Sequence, residues 1–348
     1  MKRLYSIILM SAIFICTAVC SYADDDVVVG PGDQPIVSIG GLNYVLRGHS
    51  AMVANTNNWE GELAIPEQVT YNGEVYTVTS LQWLAFDGCK TLTKVKIPKT
   101  VTSIEHYAFY EDCKNPFVRC TSLESIEVDD DNPSMCSVGG VLLSKDQSRL
   151  YCYPAGASRQ SYSIPESVEW IGGNAFAYNS YLTSIYMPNS VTYMSFSTFS
   201  NCTRLNSIRL SENIKLISTS AFERCESLLF LDIPAGVNEF AEHVFRWSHI
   251  KTIVIRGTFS GGLRNDTFYF MDDEAVIYAQ QSEIEKFKKV FSGTVLPLEE
   301  YTSDIEHISL LLPTTTVYTP NGMRQSSPRK GLNIIKTKDG QTRKVLMR

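Results

Sequence analysis

The chain carries no recognisable catalytic signature. It has no G-x-S-x-G, no G-x-x-x-x-G-K-[ST] loop and no G-x-G-x-x-G fingerprint. Nucleophile elbows and phosphate cradles therefore have no sequence to build on. Histidine is scarce: His49, His106, His243, His249 and His307 are the whole set, and no two are spaced H-x-x-x-H. The nine cysteines include no C-x-x-C pair, so a zinc site lacks its ligand spacing. Ser327-Pro328-Arg329-Lys330 spells S-x-x-K, but Pro328 in a polar stretch offers neither helix nor buried pocket. Asp129-Asp130-Asp131-Asn132 lacks the Gly and Glu of a calcium loop and reads as an acidic solvated turn. No catalytic residue, cofactor or metal ligand is assigned, and the chain reads as a non-enzyme.

Long apolar runs are also missing, except at the start. Lys2 and Arg3 precede "LYSIILMSAIFICTAV", and Ser21-Tyr22-Ala23 puts small residues at both positions a signal peptidase reads. Residues 1–23 are therefore expected to be a secretory signal, too short and wrongly flanked for a membrane span. The alternative is a lipoprotein signal acylated on Cys20, against which the bulky Val19 counts. Either reading places the protein outside the cell or on its outer surface, with membrane contact only through such an anchor.

Positive charge is concentrated at one end. The net charge is −6, yet residues 302–348 hold eight Lys/Arg against three Asp/Glu. The body from 24 to 301 is near −13, which argues against nucleic acid as a partner. The basic end reads as a separate unit. Without Cys16 and Cys20 seven cysteines remain, and Cys113 with Cys120, or Cys136 with Cys152, could form disulfides.

What the sequence does have is a period. Ala85, Ala108, Ala175, Thr198, Ala221, Val244 and Thr267 each precede Phe and are spaced by 23 residues, except for one gap of 67. That gap holds one period plus 44 residues: eight expected between Phe109 and Cys120, and 36 between Val128 and Ile164. Each unit reads V-x-x-I-x-x-x-A-F-x-x-C-x-x-L-x-x-I-x-I-P, and self-similarity of this kind outranks local assignments. Alternation in L-x-x-I-x-I is the period of a short half-buried strand, ended by Pro98, Pro188 and Pro234. The Ala-Phe step reads as a tight turn whose Phe fills the coil interior. Cys89, Cys120, Asn179, Cys202, Cys225 and Ser248 hold one equivalent site and read as packing residues at a bend. Seven coils at ~4.8 Å per strand make a solenoid roughly 35 Å long.

The unit "VTYMSFSTFSNCTRLNSIRLSEN" and its siblings resemble the BspA-like class of leucine-rich repeat over about residues 78–279. This class occurs in secreted and surface proteins of Bacteroides-type bacteria and some mucosal parasites. The resemblance implies a non-enzymatic surface role with host matrix proteins or other cells as partners. It also implies that the insertion 129–163 holds the β-hairpin such proteins place between coils.

The expected fold class is mostly β (α+β): a leucine-rich repeat solenoid with added end pieces. Residues 24–77 are expected to form an N-terminal β cap, in which 36–77 alternate as strands with a tight turn at Asn72-Gly73. In 280–301, "SEIEKFKKVF" puts Ile284, Phe287 and Phe291 on one helical face as a C-terminal lid. Residues 302–348 read as a β appendage with turns at Asn321-Gly322 and Asp339-Gly340 and a strand around Leu332–Ile335. It resembles the C-terminal sorting segments of type IX secretion.

Between the strand anchors two columns are expected to face outward. One is Lys94, Ser125, Ser184, Ser207, Phe230, Thr252 and Ala275; the other is Lys96, Glu127, Tyr186, Arg209, Asp232, Val254 and Ile277. Tyr186, Arg209 and Phe230 are residue types that anchor interfaces. With Asp232, Lys94 and Lys96 they form the candidate binding face. Adhesion to a protein partner is the leading expectation. The alternatives are an enzyme or glycan-binding accessory module with its site in the 129–163 insertion, where Tyr151, Tyr153 and Tyr162 suit stacking on sugars and a hairpin core equally, and a structural surface spacer.

Overall fold

The computed structural model describes residues 36–301, apart from 57, 106–113 and 261–262, together with four backbone strands between 316 and 347. The signal segment, Cys20, His106, Ala108-Phe109, Cys113, His307, Ser327–Lys330 and the turns at Asn321-Gly322 and Asp339-Gly340 lie outside the described residues.

The chain opens with antiparallel strands Ile36–Ile39, Leu42–Arg47 and Ser50–Val53. Gln68–Tyr71 and Glu74–Gln82 form a hairpin over Asn72-Gly73, whose φ values of 51° and 84° give the turn a twist that matches its strands. Glu74–Gln82 runs parallel to Ser50–Val53 and to Ser103–Glu105. The terminal sheet thus continues directly into the repeats.

Each coil then makes one principal strand, one short strand and one tight turn. Principal strands stack in parallel as Gly61–Ala64, Leu92–Ile97 and Ser125–Val128, then as Ser161–Ser163, Ser184–Tyr186 and Ser207–Arg209. A last set runs Phe230–Ile233, Thr252–Ile255, Val276–Ala279 and Thr294–Pro297. Val95, Ile126, Ile185, Ile208, Leu231, Ile253 and Ile277 point inward and are fully or nearly fully buried.

Phenylalanines stack along the interior. Phe176–Phe199, Phe199–Phe222, Phe222–Phe245 and Phe245–Phe268 have ring centroids 5.3, 5.6, 6.2 and 5.6 Å apart. The turn below each ring is fixed by coil-to-coil backbone bonds: the Phe176 N–H donates to the Thr198 carbonyl and the Tyr178 N–H to the Ser200 carbonyl, each at 2.9 Å.

That bond pattern corrects the second coil. The Phe86 N–H donates to Pro116 O and the Gly88 N–H to Val118 O, and the Phe117 ring lies on Phe86 at 5.3 Å and 15°. The second coil therefore turns at Pro116-Phe117, not at Ala108-Phe109. The eight extra residues precede that turn instead of following it. Phe117 stands three residues before Cys120, as Phe222 does before Cys225.

The 36-residue insertion is more than a hairpin. Met135–Val138 and Val141–Ser144 pair antiparallel over Gly139-Gly140. Arg149–Cys152 then joins the short-strand column in parallel with Trp170–Ile171. Tyr153, 1 % exposed, stacks on Phe176 at 5.2 Å and its N–H donates to Ala175 O at 2.7 Å. It occupies the place a phenylalanine holds elsewhere, so residues 149–163 form an additional, shortened coil. The acidic turn before the hairpin is pinned by Asn132, fully buried. Its Nδ2 donates to the carbonyls of Pro98 and Val101, and its Oδ1 accepts from the N–H groups of Ser134 and Met135.

The cysteines bind coil to coil. Cys120 Sγ donates to Phe86 O, Cys202 Sγ to Phe176 O and Cys225 Sγ to Phe199 O, at 3.0, 3.1 and 3.2 Å. Asn179 fills the same site by donating to the carbonyls of Pro154, Ala155 and Ala157. All three thiols are free, as are those of Cys136 and Cys152, so no Cys136–Cys152 bridge exists. Burial pushes the Cys202 thiol up to about 12 and raises that of Cys225.

At the far end the helix is a single turn, Ile284–Phe287, and Thr294–Pro297 extends the sheet beside it. Ile284, Phe287 and Phe291 are buried together. Beyond it, Thr316–Tyr318, Arg324–Gln325, Gly331–Lys336 and Thr342–Met347 form an antiparallel sheet in which Leu332 pairs with Leu346.

Candidate binding surface

The principal strands carry the candidate residues in two outward columns. At the N-terminal end Lys94 pairs with Glu127 at 2.6 Å, a hydrogen bond that raises the lysine pKa. Lys96 is exposed in register between Ala64 and Glu127. In the middle, Tyr186 and Arg209 face one another in register, with the Arg209 guanidinium 5.0 Å from the ring centroid. Both are half-exposed. Alongside them Ser161, Ser184 and Ser207 hold the other column; Ser161 is exposed and Ser184 half-exposed, whereas Ser207, expected to face outward, is buried. Asp232 follows Arg209 and accepts both arms of the Arg256 fork at 2.7 Å, and that bond raises the Arg256 pKa. Bidentate geometry of this kind holds the planar guanidinium in place.

Phe230 differs from the expectation. It lies on the outward side of its strand but is only 5 % exposed, because Tyr301 stacks over it at 6.1 Å and 19°. Tyr278 in turn meets Tyr301 at 5.2 Å. The segment after the last strand returns across the face and seals this end, so Phe230 is a covered residue and not an exposed anchor. Val254, expected to face outward, is fully buried as well. Ala275 and Ile277 also fall outside the surface, both fully buried. Thr252 pairs with Val276 and Val254 with Tyr278, so one extra residue in the last coil shifts the outward column by one. Lys94 and Lys96 are separated from Tyr186 by the insertion and do not join it in one cluster.

For two aromatic residues of the insertion the core alternative holds. Tyr153 is core, and Tyr162 sits in the inward register opposite Ile185 with its ring 4.8 Å from Tyr153. Burial pushes Tyr162 up to about 12. Both rings are engaged in the core. Tyr151 instead meets the edge of Trp170 at 6.2 Å. Trp170 stacks on Tyr193 at 6.3 Å and 8°, and Arg149 lies 5.4 Å from the Trp170 centroid. A second set, Arg224, Arg246, Trp247, Tyr269 and Phe270, gathers at the turns of the later coils. Both sets are spaced at the repeat period: 170 to 193, and 224 to 247 to 270. Reading every column of the repeat, and not only the strand column, finds them.

Among the described residues there is no group of three or more His, Cys, Asp or Glu that could hold a metal ion. No helix among them is long and apolar enough to cross a membrane.

Stacked parallel strands, an inward Phe column and a Cys/Asn bend define a leucine-rich repeat solenoid. The BspA-type leucine-rich repeat region, in six copies, matches residues 68–132 and 149–271. The chain belongs to that family. The match resumes at Arg149, where the shortened coil begins. No curated protein matches the chain. Among solved structures it is similar to the pneumococcal vaccine antigen PcpA, with 17 % identity over 76 % of this chain and 98 % of that one and a TM-score of 0.46. It is also similar to a leucine-rich cell surface protein from Faecalibacterium prausnitzii, with 19 % identity over 79 % and 100 % and a TM-score of 0.42. A leucine-rich repeat protein from Bacteroides ovatus matches with 20 % identity over 79 % and 70 % and a TM-score of 0.42.

Proposed function

We propose that this is an exported, cell-surface-type repeat protein that binds another protein, of host matrix or cell surface, through its strand face. The observation that supports this most is the Tyr186–Arg209 pair, half-exposed at 5.0 Å and followed by the Asp232–Arg256 fork. Aromatic and arginine side chains held in place lose little freedom on binding, which is why such pairs anchor interfaces. Export rests on the N-terminal segment 1–23, and the C-terminal strands serve as a sorting or anchoring unit. No chemistry is required of the protein beyond recognition.

A glycan reading keeps Tyr151 of the expected tyrosines and gives it new neighbours. Tyr151, Trp170, Tyr193 and Arg149 form an aromatic and guanidinium set on the short-strand side.

An array of matrix proteins and glycans probed with the mature chain tests both readings. Protein binding lost in Tyr186→Ala/Arg209→Ala, with an unchanged melting temperature, upholds the strand face. Sugar binding lost in Trp170→Ala/Tyr193→Ala replaces it with the glycan reading. Silence across the array overturns both in favour of a spacer.

A further inference from the structure

The turn on the far side of each coil places one residue in the left-handed region two positions after the phenylalanine. Arg224, Trp247 and Phe270 hold that position in three successive coils, at φ 55°, 55° and 58°. The Arg224 guanidinium lies 4.3 Å from the Trp247 centroid and that of Arg246 lies 3.7 Å from it. Trp247 stacks on Phe270 at 5.6 Å and 18°, and Tyr269 lies 4.1 Å from Phe270. Tyr269 and Phe270 are each 52 % exposed.

What sets this cluster apart is that its two arginines have no carboxylate paired with them among the described residues. Arg119 holds the same position in the second coil, and there Asp87 takes its fork, with Nε to Oδ1 at 2.9 Å. Nearby, Arg264 engages Glu242 and Asp266. Among the described residues neither Arg224 nor Arg246 has a carboxylate within 4.0 Å, although Glu223 is the residue next to Arg224. Arg246 Nε is buried with no acceptor. Two like charges held against one ring repel each other, and an anion that meets both relieves the repulsion.

We propose that this cluster is a second docking surface, separate from the strand face, and that its occupant is an acidic polypeptide segment. The segment would present Asp or Glu to Arg224 and Arg246 and an aromatic or aliphatic side chain to Phe270 and Tyr269. A long polyanion fits less well. Among the described residues only Arg224 and Arg246 bring guanidiniums without a carboxylate to this cluster, and the surrounding body, near −13, repels extended negative charge.

The test is selection of a displayed library of random 12-residue peptides on the mature chain, beside an array of sulfated glycans. Selected peptides should carry Asp or Glu next to aromatic or aliphatic residues. They should bind Arg224→Gln/Arg246→Gln about ten-fold or more weakly, because charge-assisted bonds are lost. Phe270→Ala, an exposed position with no core role, should weaken them as well, while Tyr186→Ala/Arg209→Ala should leave them unchanged. No selected peptide, peptides without carboxylates, or peptides indifferent to both sets of variants overturn the proposal. A sulfated glycan as the only ligand sensitive to the double variant overturns it in favour of an anionic sugar.

Discussion

Phe117 lies flat on Phe86, ring centroids 5.3 Å apart and planes 15° from parallel. This single stack decides where the second coil turns and continues the interior column to the first coil. Phe117→Ala is therefore expected to open an interior cavity and cost ~3–5 kcal/mol, as is Phe222→Ala further along the same column. Urea unfolding of each variant measures it. A cost below ~1 kcal/mol for Phe117→Ala would remove it from the column.

The bend ladder predicts a strong dependence on Asn179. Its Nδ2 donates to three carbonyls and its Oδ1 accepts from the N–H groups of Tyr181 and Leu182. Asn179→Ala leaves buried groups unpaired and is expected to cost on the order of 1–3 kcal/mol. Asn179→Asp should cost more, since a carboxylate would face the three carbonyl oxygens with no N–H to offer. Equal stability of the two variants would contradict the assigned bonds.

Alkaline stability follows from the thiols. Burial holds the Cys202 proton to about pH 12 in the folded chain, against a usual value near 9. Below pH 9 both states keep the proton and the contribution is full. Between pH 9 and 12 the unfolded chain releases it first, so stability falls as pH rises, by up to ~1.4 kcal/mol per unit. Comparing the pH profile of the wild type with that of Cys202→Ala isolates this contribution from the tyrosines. The wild type should fall more steeply above pH 9.

Gly236 has no room for a side chain. A Cβ there would overlap the Glu212 carbonyl oxygen of the preceding coil, and that atom belongs to backbone which cannot swing aside. Gly236→Ala is expected to lower the melting temperature clearly, whereas alanine at Gly139, which meets only the Arg159 side chain, should be felt mainly through its backbone angle.

Much of this architecture was legible because each coil repeats the same packing problem. The inward Leu, Ile and Phe positions follow from the 23-residue spacing alone, and so does the Cys bend. In the second coil Ala108-Phe109 matches the repeat by letter, while the spacing from Phe117 to Cys120 carries the geometry. Tyr153 suits a core by its residue type, but its place as the ring of a coil is hidden because Cys152 stands where Ala is usual and the coil is short. The side of the strand on which Phe230 lies was legible, but its cover was not. Tyr301 lies 71 residues further on, and no local pattern announces a contact at that separation. The outward column slipped at Ala275 because Ile253 and Ile277 are 24 residues apart.

On the strand face, Tyr186→Ala/Arg209→Ala should change stability by no more than ~1 kcal/mol, since an exposed cation–π contact contributes about 0.5–1 kcal/mol. A large loss of stability would mean the pair is structural, and would count against its role in recognition.

The stacking order itself is tested by engineered disulfides. Ser161 pairs with Ser184 and Ser184 with Ser207, which places adjacent strands at ~4.8 Å, inside the reach of a disulfide, and next-nearest strands well beyond it. Under mild oxidation, Ser161→Cys/Ser184→Cys should cross-link readily and Ser161→Cys/Ser207→Cys should not, as read by peptide mass mapping. Closure of the distant pair as fast as the adjacent one, or failure of the adjacent pair to close, would contradict a solenoid in which residues 149–163 form a coil of their own.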